Sequence, residues 1–318
     1  MNFFHKPRAR CNRTVVLDED ELATLKLSIL TQEQLGISVP IDRIVCGDSF
    51  SVLTKMPTAS VDLLLLDPPY NLNKQFSAIH FCKQSVSKYS NYLQLILSAC
   101  WPLLKPTASV YICGDWYSSV SIFEVASSYF RVRNRITWER EKGRGASTNW
   151  KNSSEDIWFC TVSDDYYFNV NAVKLRRKVL APYRNHKGHP KDWFESATGK
   201  FRDTYPSNLW SDISIPFWSM PENTDHPTQK SEKLFAKLIL ASSQPGDLVL
   251  DPFLGSGTSA VVAKKLGRHF LGIEIDEYYA LLSAKRLALA EQQRNIQGYS
   301  NGIFWERNAS RHSCRNSH

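Results

Sequence analysis

Val61-Asp62-Leu63-Leu64-Leu65-Leu66-Asp67-Pro68-Pro69-Tyr70 is the stretch on which the fold turns. An apolar run with no alternation fits a central parallel strand, covered on both faces, better than an edge strand. Two prolines straight after it have no N–H for a sheet ladder and force the chain out of the sheet. Working outward, strand signals recur at 43–47, 108–113, 132–138, 157–162, 247–250 and 269–274. Helical patterns lie between most of them, at about 52–56, 89–104, 118–129, 234–242, 256–267 and 277–292. This alternation predicts an open α/β sheet, mainly parallel and covered by helices on both faces.

A second informative stretch is Asp251-Pro252-Phe253-Leu254-Gly255-Ser256-Gly257-Thr258-Ser259, which follows one predicted strand and opens a helix. Its glycines permit a tight turn and close approach of a ligand to the backbone. The next strand ends at Glu274, in Gly272-Ile273-Glu274-Ile275-Asp276. An acid about 20 positions beyond such glycines suits ribose hydroxyls. The ligand of this unit is a dinucleotide or S-adenosylmethionine, and two features favour the latter. The third glycine of the dinucleotide fingerprint is absent, and Asp251 places a carboxylate beside the loop, where it suits an amino group and opposes a pyrophosphate. A purely structural glycine turn is the plain alternative.

Asp67-Pro68-Pro69-Tyr70 lies at the carboxyl end of its strand, where open α/β sheets build their sites. The loop starts with acceptors: a carboxylate and the carbonyl of Pro68, with no N–H on Pro68 or Pro69. Acceptors of this kind suit the amino group of adenine or cytosine, a poor nucleophile whose protons must be held and whose nitrogen must be aimed. Tyr70 is placed to stack on an extruded base. Methylation of a cytosine ring carbon needs a thiolate nucleophile. No cysteine here follows a proline in that manner, so a non-covalent, amino-directed route fits better.

The composition sets the frame. With 318 residues, 42% hydrophobic and 22% charged, the chain reads as one large globular domain with room for a smaller inserted module. A net charge of +8 favours polyanionic partners, nucleic acid first. The seven cysteines form no CxxC pair, so no zinc site is expected, and they read as reduced thiols. No apolar stretch reaches the length of a membrane span and the N-terminus lacks a signal-peptide pattern, so a cytoplasmic protein is expected. Residues 1–40 read as a peripheral segment with one helix, and 294–318 as a polar, frayed tail.

Four motifs together resemble the amino-directed DNA methyltransferases, which make N6-methyladenine or N4-methylcytosine: DPPYNL at 67–72, HPTQK at 226–230, DPFLGSGTS at 251–259 and GIEID at 272–276. Their order is similar to the beta arrangement, a circular permutation of the Rossmann-like S-adenosylmethionine-dependent methyltransferase fold. The resemblance spans roughly residues 40–290. It implies a target-base pocket at Asp67, Pro68, Pro69 and Tyr70. It implies a cofactor site at Asp251, Phe253, Gly255, Gly257, Thr258 and Glu274, with Thr228 and Lys230 at the methionine end and Asp48 near the adenine. It divides the chain into a catalytic half at 41–164, a target-recognition region at 165–222 and a cofactor half at 223–293.

The recognition region carries Arg176, Arg177, Arg184, Lys187 and Arg202 interleaved with aromatic residues, as DNA contacts would require. A second basic loop, with Arg140, Lys142 and Arg144, is expected on the phosphates around the target base. The resemblance also implies duplex DNA as partner; a nucleoid-associated monomer or homodimer is expected, with or without a cognate restriction endonuclease in the same system. DPPY leans toward adenine, with N4-cytosine as the alternative. A methyltransferase for RNA or protein, and a DNA-binding module without catalysis, are the rival readings. HPTQK and the basic insert weigh against the first, and the intact Asp67 and glycine loop against the second.

Overall fold

The structure is a computed structural model that describes residues 9–36, 39–76, 79–140 and 147–307. Its main body is a nine-stranded sheet. In chain order the strands are β1 (Leu30–Thr31), β2 (Arg43–Cys46), β3 (Val61–Leu66), β4 (Leu104–Gly114), β5 (Arg131–Glu139), β6 (Ser154–Thr161), β7 (Leu209–Trp210), β8 (Leu248–Asp251) and β9 (His269–Glu274). In space they run β1-β2-β9-β8-β3-β4-β6-β5-β7. Only β6 runs against its neighbours; every other pair is parallel. This is the expected permuted, mainly parallel α/β sheet.

Alternate residues of the central strands feed two apolar layers. Leu63 and Leu65 of β3 face one core with Val249, Phe270 and helices α1 (Leu22–Ser28), α5 (Glu232–Ser242), α6 (Thr258–Lys265) and α7 (Glu277–Gln292). Leu64 and Leu66 face the other core with Leu250, Leu271 and helices α2 (Ser49–Leu53), α3 (Val86–Cys100) and α4 (Ser119–Tyr129). Burial of each such side chain contributes about 1.5–3 kcal/mol, which is why the run at 61–66 is apolar at every position but one. Asp62 is the one break, and its carboxylate is used: it accepts from Lys105 Nζ at 2.7 Å and from the Leu248 N–H at 2.9 Å.

Two expectations shift. Pro106 was expected beyond the end of a helix, with a strand from Ala108; instead β4 begins at Leu104 and takes Pro106 inside it. The pairing with β3 jumps from Val61–Leu104 to Leu63–Ser109, and this irregularity accommodates a residue that cannot donate to the ladder. The segment read as a frayed tail supplies structure: Tyr299–Ser300 and Ile303–Trp305 are strands. Ile303–Trp305 pairs in parallel with Leu175–Lys178, inside the stretch expected to recognise DNA. With Phe194–Ser196 and Gly199–Thr204 these strands make a second, five-stranded sheet. Phe304 is fully buried there, so an apolar anchor hidden in a polar sequence overrides the compositional reading.

The small sheet is fastened to the main body through α5. Asp212 accepts from Lys237 Nζ at 2.8 Å and pairs with Lys233 Nζ at 2.7 Å, while Lys233 also donates to the Trp305 carbonyl at 2.5 Å. Lys237 is buried over the Trp210 ring, and burial, partly offset by Asp212, brings its pKa down to about 8. The peripheral segment docks as expected, with Leu25 of α1 buried, although Leu27 points to solvent. Among the described residues, no helix is long and apolar enough to cross a membrane.

Candidate active site

Four adjacent parallel strands, β2, β9, β8 and β3, end at one rim of the sheet. The residues at or after their last positions therefore gather there: Asp48 after β2, Glu274 closing β9, Asp251 to Ser256 from the end of β8, and Asp67 to Tyr70 after β3. Together they line one cavity of about 330 Å³, within the range of small-molecule sites. The two loops picked out in the sequence thus face each other across a shared space.

The glycine loop is shaped by necessity. Gly257 has φ +83° and a Cβ there would lie 2.7 Å from the Ser283 side chain. Gly255 has φ +56° and packs on the His226 ring. Glu274 holds this loop: Oε2 accepts from the Gly255 N–H at 2.7 Å and Oε1 from the Asp276 N–H at 2.9 Å. Each oxygen keeps a lone pair for a hydroxyl in the cavity. Burial pushes the Glu274 pKa up to about 7 despite those two donors. Asp251 is likewise pushed up to about 7 by burial, while accepting from Ser259 and from the Phe253 N–H. Behind the loop the buried Arg286 donates to the Ser256 carbonyl at 2.7 Å and to Thr258 Oγ1 at 3.0 Å.

The acid loop is embedded in charge. Lys230 Nζ lies 2.7 Å from Asp67 Oδ2 and 3.3 Å from Glu155 Oε2. The Tyr70 hydroxyl donates toward Asp67 Oδ1 at 3.0 Å and Glu155 Oε2 at 3.1 Å. Arg140 pairs with the remaining oxygen of Glu155. Burial disfavours the Lys230 charge, but Asp67 and Glu155 outweigh it and hold its pKa above the usual range. Burial likewise works against the Glu155 charge, and Lys230 and Arg140 overcome it, so its pKa is lowered. Burial, with Asp67 and Glu155 nearby, drives the Tyr70 pKa well up, so its hydroxyl keeps its proton. Cys113, close by, is raised in the same way by burial and is no thiolate nucleophile.

The expected site residues divide accordingly. All the catalytic and cofactor positions except Gly257 line the cavity themselves, and Gly257 shapes the loop that does. Asp48 also accepts from the Ser51 N–H and caps α2. Lys230, expected at the methionine end, lines the cavity and turns its ammonium to the acid loop. Arg140, expected on phosphates, is engaged inside by Glu155, and Lys142 and Arg144 lie outside the described residues. In the recognition region Arg176 is held by Asp203 through two contacts of 2.7 Å and lies over Phe194 and Trp305. Arg202 faces Asp192 at 3.3 Å and Arg177 faces Glu306 at 3.9 Å. Arg184 and Lys187 are exposed on the loop that carries Gly188, where Arg184 donates to the Gly188 carbonyl and lies over the Trp193 ring. Sequence reasoning missed Glu155, Arg286, Phe50, Tyr92 and Ile275; only the start of a strand marks Glu155 in the sequence, and nothing there sets it apart.

An acidic, nucleoside-sized cleft facing an acceptor loop at the rim of this sheet defines a group-transfer enzyme of the methyltransferase fold. The DNA methylase family model matches residues 61–285, and the chain belongs to that family, the amino-directed N6-adenine or N4-cytosine DNA methyltransferases. It is 34% identical over 256 residues to the DNA adenine methyltransferase YhdJ of Escherichia coli (strain K12), covering 78% of this chain and 83% of that one. It is 29% identical over 301 residues to the type II methyltransferase M.BglII of Bacillus subtilis, covering 88% and 81%. Among solved structures, the PvuII DNA methyltransferase (cytosine-N4-specific) superposes with a TM-score of 0.55 at 18% identity, over 79% of this chain and 92% of that one, a likeness of fold. The methyl donor is S-adenosyl-L-methionine.

Proposed function

We propose that this methyltransferase acts on the N6 amino group of adenine at specific sites in duplex DNA, with Asp67 and the Pro68 carbonyl holding the amine. The observation that carries the reading is the shared cavity of residues 67–70 and 251–256. The residues there suit a cationic nucleoside cofactor: Asp67, Asp251 and Glu274 supply negative charge or hydroxyl acceptors, and Phe50, Phe253 and Ile275 supply apolar surface. Bound S-adenosyl-L-methionine supplies an electrophilic methyl group. Glu274 accepts from its ribose hydroxyls and Gly255 and Gly257 let the chain pass close to it.

Asp67 Oδ2 is engaged by Lys230 alone and keeps a lone pair for one N–H of the amine; the Pro68 carbonyl takes the other. Two acceptors fix the nitrogen in the line of transfer, a contribution of positioning and electrostatics. The target base leaves the stack to reach this depth. Tyr70, its hydroxyl fixed by two carboxylates, presents a ring of set orientation to that base. The 34% identity to an enzyme named for adenine supports N6 as the product. Duplex DNA is read by the second sheet with the exposed Arg184 and Lys187.

Single-molecule sequencing of DNA from cells that express the protein tests this directly. N6-methyladenine in one sequence context is the expected result. N4-methylcytosine would replace adenine by the other amino-bearing base, and unmodified DNA would overturn the proposal.

A further inference from the structure

Resting on that reading, we infer that Glu155 is a positioning residue for methyl transfer: it shares the Lys230 ammonium with Asp67, so that Asp67 keeps part of its strength as an acceptor for the target amine. Four groups form a closed ring: Asp67 and Glu155 are each touched by Lys230 Nζ and by the Tyr70 hydroxyl, at 2.7 to 3.3 Å. Lys230 Nζ reaches both oxygens of Asp67, at 2.7 and 3.0 Å, and Glu155 at 3.3 Å, so the ammonium leans on Asp67 and is shared with Glu155. The fifth member, Arg140, occupies the outer oxygen of Glu155.

Topology explains why an acid so far along the chain arrives here. β6 runs opposite to β4 and β5, so its beginning, not its end, lies at the rim where β3 and β8 end. Glu155 is the second residue of β6 and pairs in register with Trp138, two residues before Arg140. The hairpin therefore delivers an acid and a base side by side, and Lys230 reaches them from the segment before α5.

The chemistry requires such a partner. During transfer, positive charge builds on the amine nitrogen, and an ionised Asp67 stabilises it. An undivided ammonium at 2.7 Å would cancel that field in a low-dielectric site. Glu155 shares the ammonium, and Arg140 keeps Glu155 ionised. The five groups carry two negative and two positive charges, so the cluster is neutral before the base arrives.

The test uses full-length protein, tritiated S-adenosyl-L-methionine and unmodified genomic DNA under single-turnover conditions. Glu155→Gln should slow transfer by at least about 30-fold while cofactor affinity, by calorimetry, stays within about threefold. The double variant Glu155→Gln with Lys230→Met should transfer several-fold faster than Glu155→Gln alone, because the unshared ammonium is gone. A wild-type rate in Glu155→Gln, a double variant no faster than the single, or loss of cofactor binding in Glu155→Gln would each overturn the inference. These outcomes are separable from failure of the adenine-N6 reading, which would show as no amino methylation by the unaltered protein.

Discussion

Lys230 and Asp67, 163 residues apart in sequence, meet at 2.7 Å and tie the segment before α5 to the acid loop after β3. Asp67 is thus both an acceptor in the cavity and a counter-ion for a buried lysine. Asp67→Ala should lower methyl transfer by at least about a hundredfold, with cofactor binding retained because Glu274 and the glycine loop are untouched. Tritium incorporation and calorimetry measure the two effects. Asp67→Asn, which keeps the shape and one hydrogen bond to Lys230, should lose transfer too. Full activity in either variant would remove Asp67 from the chemistry.

If Glu274 holds the ribose as proposed, cofactor binding has a pH dependence with a definite sign. Its pKa is raised to about 7, so below that pH the buried carboxyl is protonated and accepts poorly from a ribose. Cofactor affinity should therefore rise from about pH 6 to about pH 8, and Glu274→Gln should bind weakly at all of them. Stability runs the other way. An acid whose pKa is higher folded than unfolded binds more protons when folded, so its contribution is present below the unfolded value and is lost as pH rises through about 7. Calorimetric titrations and melting curves over this range, in the wild type and Glu274→Gln, separate the two effects.

Gly257→Ala should destabilise the fold by about 1–3 kcal/mol. The new methyl would meet Ser283 at 2.7 Å on a backbone with φ +83°. Ser283→Gly in addition should relieve only the side-chain contact, since the Ser283 Cα would still lie 3.0 Å from the new methyl and the φ penalty stays, giving at most a partial recovery of Tm. Complete recovery would mean that the left-handed backbone costs nothing here.

The recognition-region cations should fall into two kinds. Arg184→Ala with Lys187→Ala removes exposed charge, so DNA binding should weaken and the slope of log affinity against log salt should flatten by about two. Arg176→Ala should instead lower Tm and leave Asp203 unpaired, because that guanidinium is held within the small sheet. Equal salt slopes for the wild type and the Arg184/Lys187 variant would remove those two residues from the DNA surface.

The sheet and the two site loops were legible because they follow local rules. An apolar strand broken only at Asp62, a double proline and a GxG turn each have one strong structural meaning. Glu155 was not legible, since its place depends on the reversed direction of β6, which no local pattern encodes. The Arg140 pairing was hidden for a related reason: a basic residue close to a glycine looks the same whether it faces phosphate or an internal acid. Its charge was visible in the sequence and its partner, fifteen residues on, was not. The strands after residue 298 were hidden by polar neighbours, and only the burial of Ile303 and Phe304 gives them away.

The parallel pairing of Ile303–Trp305 with Leu175–Lys178 bears on any attempt to transplant specificity between relatives. The small sheet, which we propose reads DNA, is stitched from two distant pieces of chain. A graft of residues 165–222 alone would arrive with an unpaired strand edge, ready to pair with other copies. An exchange that preserves a sealed sheet has to carry residues 299–305 along with it, and keep Lys233 and Lys237 of the recipient opposite Asp212 of the donor.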